Sequence, residues 1–323
     1  WNWVTINANG KQSAISDILS VGEWTLGDEV KNDSKAISFS EDKKKWYGTL
    51  GVGTFDNNKM YKIHSAKSQV LTTNINAANP EKVEISVMPG WNYIAYPLAT
   101  TEMLAEALAN YDAEDGDIIK SQEQFSVYDA KTATWQGELK ALTSGRGYMI
   151  KRKEGARNAK FRFMASTGVT ENEETVRSSK YANNMNLIAT ISGLPIENGD
   201  SIVAVCNNEI RGCASIQTDS KAYLTIQGNK NDIMTMRLMR NGNVVAYANS
   251  SIQYADDTVV GTVDNPTSIK FNKYDNGIGT ITAIYDTNGR AMKTTDIDTL
   301  PLGTYLIHSI LKGASKITKI NKR

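Results

Sequence analysis

The sequence predicts a mainly β chain with α+β repeats: two tandem strand-helix-strands modules, an antiparallel β-sandwich and a further small β unit at the C-terminus. Three observations carry this prediction. Four blocks of sequence recur in the same order, roughly 90 residues apart. Helical periodicity is confined to one short stretch in each copy. Beyond residue 180 it disappears, and short alternating segments are separated by Asn-Gly dipeptides.

The recurrence is read block by block. Trp1-Asn2-Trp3 returns as Trp91-Asn92-Tyr93, and Gly27-Asp28-Glu29-Val30-Lys31 returns as Gly116-Asp117-Ile118-Ile119-Lys120. Trp46-Tyr47-Gly48-Thr49-Leu50 matches Trp135-Gln136-Gly137-Glu138-Leu139, and Met60-Tyr61-Lys62-Ile63 matches Tyr148-Met149-Ile150. Residues 1–88 and 89–166 are therefore read as two copies of one module. In the second copy Trp91 to Pro97 reads as an apolar strand. Thr101 can then N-cap a helix whose stripe is Met103, Leu104, Ala107, Leu108 and Tyr111. The first copy offers Ser13 as cap and Ile15, Ile18 and Leu19 as stripe. Short alternating segments such as Phe125-Ser126-Val127-Tyr128 follow and suit half-buried strands.

Residues 167–180 are polar and aperiodic, which marks a linker. The next segments, near 185–191, 201–206, 210–216, 222–227, 234–240 and 243–248, predict the sandwich over 181–266. Asn198-Gly199, Asn241-Gly242, Asn276-Gly277 and Asn288-Gly289 are hairpin signals, because these residues reach positive φ at little cost. Segments near 267–272, 280–285, 304–311 and 315–320 make the last unit, 267–323.

Composition removes several function classes. Thirty-six Lys and Arg stand against 35 Asp and Glu, a net charge of +1, which argues against nucleic acid or an anionic membrane as main partner. No run approaches the ~18–20 apolar residues of a membrane span. With only two His and two Cys, neither a multi-His metal site nor a disulfide-rich scaffold can be assembled from this chain. No cofactor is expected. The opening Trp1, with no signal peptide ahead of it, reads as the point where an upstream portion was removed.

Each candidate for chemistry has a plainer explanation. His64 falls opposite Lys151 of the second copy, a solvent-facing strand position, and His308 alternates with Leu306 and Ile310 near the chain end. Without a nucleophile elbow, Ser-His-Asp or Cys-His catalysis is not expected. Asp28 and Asp117 could form the carboxylate pair of a glycosidase, but each follows Gly in a turn, where Asp commonly bonds a nearby backbone N–H. The acidic run 112–117 has oxygen ligands for calcium but misses the EF-hand spacing, and the first copy lacks most of its acids. Gly51/Gly53 and Gly145/Gly147 lack a following helix and read as turns, not phosphate cradles. Lys43-Lys44-Lys45 and Lys151-Arg152-Lys153 read as solvated faces.

Flat indoles can stack on sugar rings. Trp1, Trp46, Trp91 and Trp135 recur between copies and are expected in a shared core, so Trp24 and Tyr47 are the candidates for exposed contacts. Cys206 and Cys213 flank a hairpin, and an oxidising compartment permits a bridge between them. A two-residue turn at Asn207-Asn208 would pair Cys206 with Glu209 and leave Cys213 too far along; a longer loop would set the sulfurs opposite each other.

The final segment carries the most specific resemblance. Ile284-Tyr285-Asp286-Thr287-Asn288-Gly289-Arg290, then Leu300-Pro301-Leu302-Gly303-Thr304-Tyr305-Leu306-Ile307 and a Lys-rich last strand, resemble the C-terminal sorting domain of the type IX secretion family of exported Bacteroidetes proteins. That resemblance implies a small Ig-like β-sandwich at the C-terminus and a secreted or outer-membrane surface location. It also implies contact with export and anchoring machinery through 267–323. More loosely, the repeats are similar to a surface-protein module that opens on Trp-Asn and closes as Leu142-Thr143-Ser144-Gly145-Arg146-Gly147-Tyr148. Gly199-Asp200-Ser201-Ile202-Val203-Ala204 with Ile210-Arg211-Gly212 look like a β-domain that accompanies such repeats. None of these resemblances brings a catalytic residue. The expected function is a non-catalytic adhesion or binding region for an extracellular protein or glycan. An accessory region of an extracellular hydrolase, or a structural spacer, are the alternatives.

Overall fold

The computed structural model describes residues 1–9, 14–50, 53–164, 178–273, 280–295, 297–311 and 314–322. Ser13, Gly51, the Asn276-Gly277 turn and all of the 167–180 linker except 178–180 lie outside them. The chain is mainly β, in several sheets.

The first sheet is built from β1 (Asn2–Thr5), β2 (Glu29–Lys31), β3 (Ala36–Ser40), β4 (Lys45–Gly48) and β5 (Met60–His64), in the order β1-β5-β2-β3-β4, with a one-turn helix α1 (Ile15–Leu19) laid against it. Next come β6 (Ile85–Val87), β7 (Gly90–Ala95), β8 (Glu102–Met103), the helix α2 (Leu104–Ala107), β9 (Ile118–Lys120), β10 (Phe125–Asp129) and β11 (Thr134–Gly137). They continue into β12 (Ala141–Leu142), β13 (Gly147–Arg152) and β14 (Ala159–Phe161). Read from β7, the second sheet runs β7-β13-β9-β10-β11, the same path through space as the first. Register agrees as well: Glu29 pairs with His64 as Ile118 pairs with Lys151, and Asn2 with Ile63 as Asn92 with Ile150.

The local chemistry explains why these blocks are alike. Gly48 and Gly137 both hold φ at 143°, and a Cβ there would meet the carbonyl oxygens of Ala36 and Phe125 at 2.2 and 2.4 Å. Only Gly fits so close to a neighbouring strand. The helices start differently from the sequence expectation. Ala14 and Met103 occupy the N-cap positions, neither helix has a side-chain cap, and Thr101 is not the cap. The first amides are satisfied by carbonyls of distant loop segments instead, Ile15 N–H by Gly53 and Leu104 N–H by Lys140. Ile15, Ile18, Leu19, Leu104, Ala107, Leu108 and Tyr111 are buried as their spacing predicts, while Met103 is exposed.

The third unit comprises β15 (Asn184–Ser192), β16 (Ser201–Cys206), β17 (Glu209–Ser215), β18 (Lys221–Gln227), β19 (Ile233–Arg240), β20 (Asn243–Gln253), β21 (Val259–Val260) and β22 (Thr267–Lys273). Its path is β17-β16-β19-β20-β22-β15-β18, with β21 also on β15. The sheet is mixed and not wholly antiparallel as the sequence predicts: β22 and β21 run parallel to β15, because the chain crosses over after β20 before rejoining the sheet. The sheet curls until its end strands meet, and a Cβ at Gly212 of β17 would lie 2.1 Å from the Thr225 oxygen of β18. One core fills the interior, centred on Met185, Leu187, Ile202, Leu224, Leu238 and Phe271.

Two predicted boundaries move. β22 belongs to this sheet and not to the C-terminal unit, since Ile269 and Phe271 alternate into its core. β6 pairs with β14, so 85–87 joins the second unit: Ile85 and Val87 are buried in its core beside Phe161. The last unit, within the described residues, is the meander β23 (Thr280–Asp286), β24 (Gly303–Leu311) and β25 (Ala314–Lys322) over a small core of Ile284, Leu300, Tyr305 and Ile307. No helix among the described residues is long and apolar enough to cross a membrane.

Candidate functional site

A groove lies between α1 and the β3–β4 hairpin, and a second lies between α2 and the β10–β11 hairpin. Their volumes are about 510 and 370 Å³. Their linings correspond at an offset of 89 residues. Ile15, Leu19 and Trp46 of the first become Leu104, Leu108 and Trp135 of the second. The hairpin turns impose this: Lys44 and Ala133 hold φ at 49° and 52°, so each hairpin delivers its Trp to the same place. Trp46 stands 5.4 Å from Phe39, and Trp135 stands 5.4 Å from Tyr128, the residue 89 further on.

This revises the reading of the tryptophans. Trp1, Trp46, Trp91 and Trp135 are half-buried rather than core residues, with Trp46 and Trp135 turning part of the ring toward a groove. Trp24 does line the first groove, edge-on to Trp46 at 5.0 Å, its Nε1–H donating to the Leu19 carbonyl. Tyr47 does not. It follows Trp46 on the strand and so points to the other face, 45% exposed, with the Lys43 ammonium 5.1 Å from its ring. The two candidates are thus separated, and the partner of Trp24 is a residue the sequence reading had assigned to the core.

Asp28 and Asp117 are fully buried. Each accepts from the backbone N–H three residues before it, Thr25 and Glu114, and the preceding Gly supplies positive φ. Asp200 and Asp232 repeat the device on Glu197 and Asn229, after Gly199 and Asn231. All four carboxylates meet a basic side chain from another strand: His64, Arg152, Arg240 and Arg211 respectively. The Arg240 fork holds the Asp200 carboxyl below the usual carboxylate range. These acids are turn locks with their acceptor positions occupied, which leaves them poorly placed for proton transfer to a substrate.

The acidic run 112–117 is held in the same way. Arg152, 1% exposed, donates to Glu114, Asp117, the Tyr111 hydroxyl and the Asp112 and Arg157 carbonyls. Asp115 accepts from Ala130 N–H. Among the described residues no group of three or more His, Cys, Asp or Glu is placed to hold a metal ion. His64 lies 3.5 Å from Asp28 and tilts against Trp1, so it is not simply solvent-facing. His308 shares hydrogen bonds with the hydroxyls of Thr282 and Ser315, tying three strands together.

Cys206 and Cys213 are both free. Asn207 and Asn208 have φ of 50° and 62° and form the two-residue turn, so Cys206 pairs with Glu209 while Cys213 pairs with Val203. Cys206 is buried and Cys213 exposed. We expect two thiols per chain after denaturation under non-reducing conditions. In the folded protein a thiol reagent should modify Cys213 fast and Cys206 only on unfolding. A single titratable thiol, or none, contradicts this geometry.

The sequence reading missed a Trp–Lys junction where the first three units meet. Lys31 lies 4.2 Å from the Trp1 ring, and Lys120, 89 residues on, lies 4.2 Å from the Trp91 ring. Lys62 is fully buried between Trp3 at 4.3 Å and Tyr93 at 5.0 Å, and donates to Asn183 Oδ1. Lys120, also fully buried, donates to Asp257 Oδ1 at 2.6 Å. Desolvation pushes the Lys62 ammonium down to about 7 and lowers that of Lys120. Neither Lys has solvent access, so the junction holds the units together instead of offering a nucleophile.

No family model matches the chain, and no curated protein matches it. Among solved structures it is similar to "The Bacillus anthracis TIE protein", at 10% identity over 92% of this chain and 58% of that one. The chain thus spans less than two thirds of that protein. The TM-score is 0.20, a likeness too slight to carry an argument about fold or function.

Proposed function

We propose that this chain is a non-catalytic binding region of an exported cell-surface protein, in which residues 1–84 and 85–164 are two copies of one ligand-presenting module. The observation that carries the reading is the repeated groove: the same helix, the same hairpin and the same half-buried Trp, 89 residues apart. A structural spacer has no need to keep a concave aromatic surface twice. Two related sites on one chain instead gain from simultaneous engagement of a repeating ligand, which favours a surface polymer such as a glycan. The resemblance of the last strands to a sorting domain supports export, with an Ig-like C-terminal unit as the element recognised. Since β22 is paired into the preceding sheet, that unit starts after Lys273.

The test is binding of the intact chain to immobilised glycans and extracellular-matrix proteins. The expected result is a glycan signal that falls when Trp46→Ala or Trp135→Ala is introduced and falls further in the double variant. Absence of binding by a folded sample, shown by a cooperative unfolding transition, overturns the reading.

A further inference from the structure

Resting on that reading, we propose that the two grooves differ in specificity and that the first takes an acidic sugar, one bearing carboxylate or sulfate. The differences at matching positions leave the first groove with more positive charge, although the second keeps one cation, Lys140, and has Tyr111 and Tyr128 where the first has Gly22 and Phe39. Where the first groove is rimmed by Lys44 and Lys45, the second has Ala133 and Thr134; where the first has Ser16 and Ser20 on its helix, the second has Ala105 and Ala109. Trp24 is replaced by Ala113. The shared part is the apolar floor and its single Trp. The first groove adds one net ammonium, two hydroxyls that already donate to Asp17 and can accept from a ligand, and a second indole.

That combination suits one ligand chemistry. An indole face accepts the apolar face of a pyranose ring, and hydroxyls exchange hydrogen bonds with its hydroxyls. Ammonium groups at the rim make charge-assisted bonds to an anionic substituent. No carboxylate lines the first groove. Glu41 and Asp42 sit in the same hairpin but outside the lining, and Asp17, which accepts from the Ser16 hydroxyl, is the carboxylate beside it, so Lys44 and Lys45 outnumber the nearest negative charge. A neutral glycan would leave those charges unused. An acidic peptide could use the charges but offers no flat saccharide face to Trp24 and Trp46.

The experiment titrates the whole chain with four oligomers of equal length, by calorimetry and Trp fluorescence: a neutral glucan, an oligogalacturonate, a sulfated glycosaminoglycan fragment and oligoglutamate. The proposal expects one or both acidic sugars to bind roughly tenfold or more tighter than the neutral one, with affinity falling as salt rises. The uronate and sulfate arms distinguish the two anion types. The variant Lys44→Ala/Lys45→Thr installs the second groove's residues on a turn whose backbone already tolerates them, so folding is preserved. It should bring the affinity for the acidic sugar down to that for the neutral one. Equal binding of neutral and acidic sugars, an unchanged preference in the variant, or equal binding of oligoglutamate each overturns this inference and leaves the binding function standing. Failure of every sugar to bind overturns both.

Discussion

Replacing Arg152 with Met lowers the unfolding free energy by about 3–5 kcal/mol, the cost of leaving a buried charge without its partner. Asp117 is fully buried and cannot recruit water once the guanidinium is gone. Five donations are lost together, and among the groups left behind are the Tyr111 hydroxyl and the Asp112 carbonyl, inside the loop that leads into β9. Arg152→Lys should recover little, because a single ammonium cannot reproduce a fork that bonds Glu114 with one nitrogen and Asp117 with another. Arg240→Met should cost less, since that side chain is a quarter exposed and water can replace part of what it gives Asp200. Urea unfolding at constant m-value is the measurement. The double variant Arg152→Met/Asp117→Asn should be more stable than the sum of its singles, as residues in one network are coupled. Strict additivity, or an Arg152→Met loss below that of Arg240→Met, would show that the lock at Asp117 is not what holds this loop.

How much of this was legible depends on where each partner lies. The recurring blocks showed in the sequence because they sit where the backbone permits little else: Gly27 and Gly116 at positive φ before a buried Asp, Gly48 and Gly137 against a neighbouring carbonyl. The sandwich strands showed for a similar reason, with Asn241 and Gly242 both at positive φ closing the β19–β20 hairpin. Partners far along the chain left no local trace. β22 and β6 were placed in the wrong units because alternation reports that a strand has a buried face, and not which sheet receives it. Lys62 and Lys120 read as polar strand positions, yet the Trp3 ring that covers both stands 59 and 117 residues before them. Recurrence also misled in one respect. It marked Trp46 and Trp135 as important, which suggested a core, but repetition of a residue says nothing about which of its faces is left open. The grooves became visible only when helix and hairpin were set side by side.

Substituting Lys62 by Met should stabilise the chain and flatten its response to pH. The second module supplies the precedent, because Met149 faces Tyr93 on β7 as Lys62 faces Trp3 on β1. In the first module the ammonium lies between two aromatic rings with Asn183 as its hydrogen-bond acceptor, and Lys120 adds a like charge nearby. Burial has pushed it down to about 7, whereas in the unfolded chain it holds its proton to about 10.4. Between those values the unfolded state binds more protons than the folded one, so stability rises with pH, at up to about 1.4 kcal/mol per pH unit from this group. Below pH 7 both states carry the charge, and the folded state bears the full cost of burying it. Above pH 10 the sign reverses. Burial pushes the Tyr61 and Tyr223 phenols up to about 12 and raises those of Tyr93, Tyr96, Tyr111 and Tyr254, so the folded chain keeps protons that unfolded tyrosines release. The wild-type curve should therefore climb from neutrality and fall beyond pH 10. Lys62→Met should raise the neutral end by about 1–4 kcal/mol, the range seen when a buried charge gives way to an apolar side chain of similar volume. It should leave the alkaline fall in place. The cation–π contacts with Trp3 and Tyr93 oppose this gain by roughly 1–2 kcal/mol, so the outcome weighs desolvation against ring contact at one atom. A variant less stable than wild type at pH 7, with the rising limb intact, would mean that the rings hold Lys62 charged and that the junction is a cation site by design.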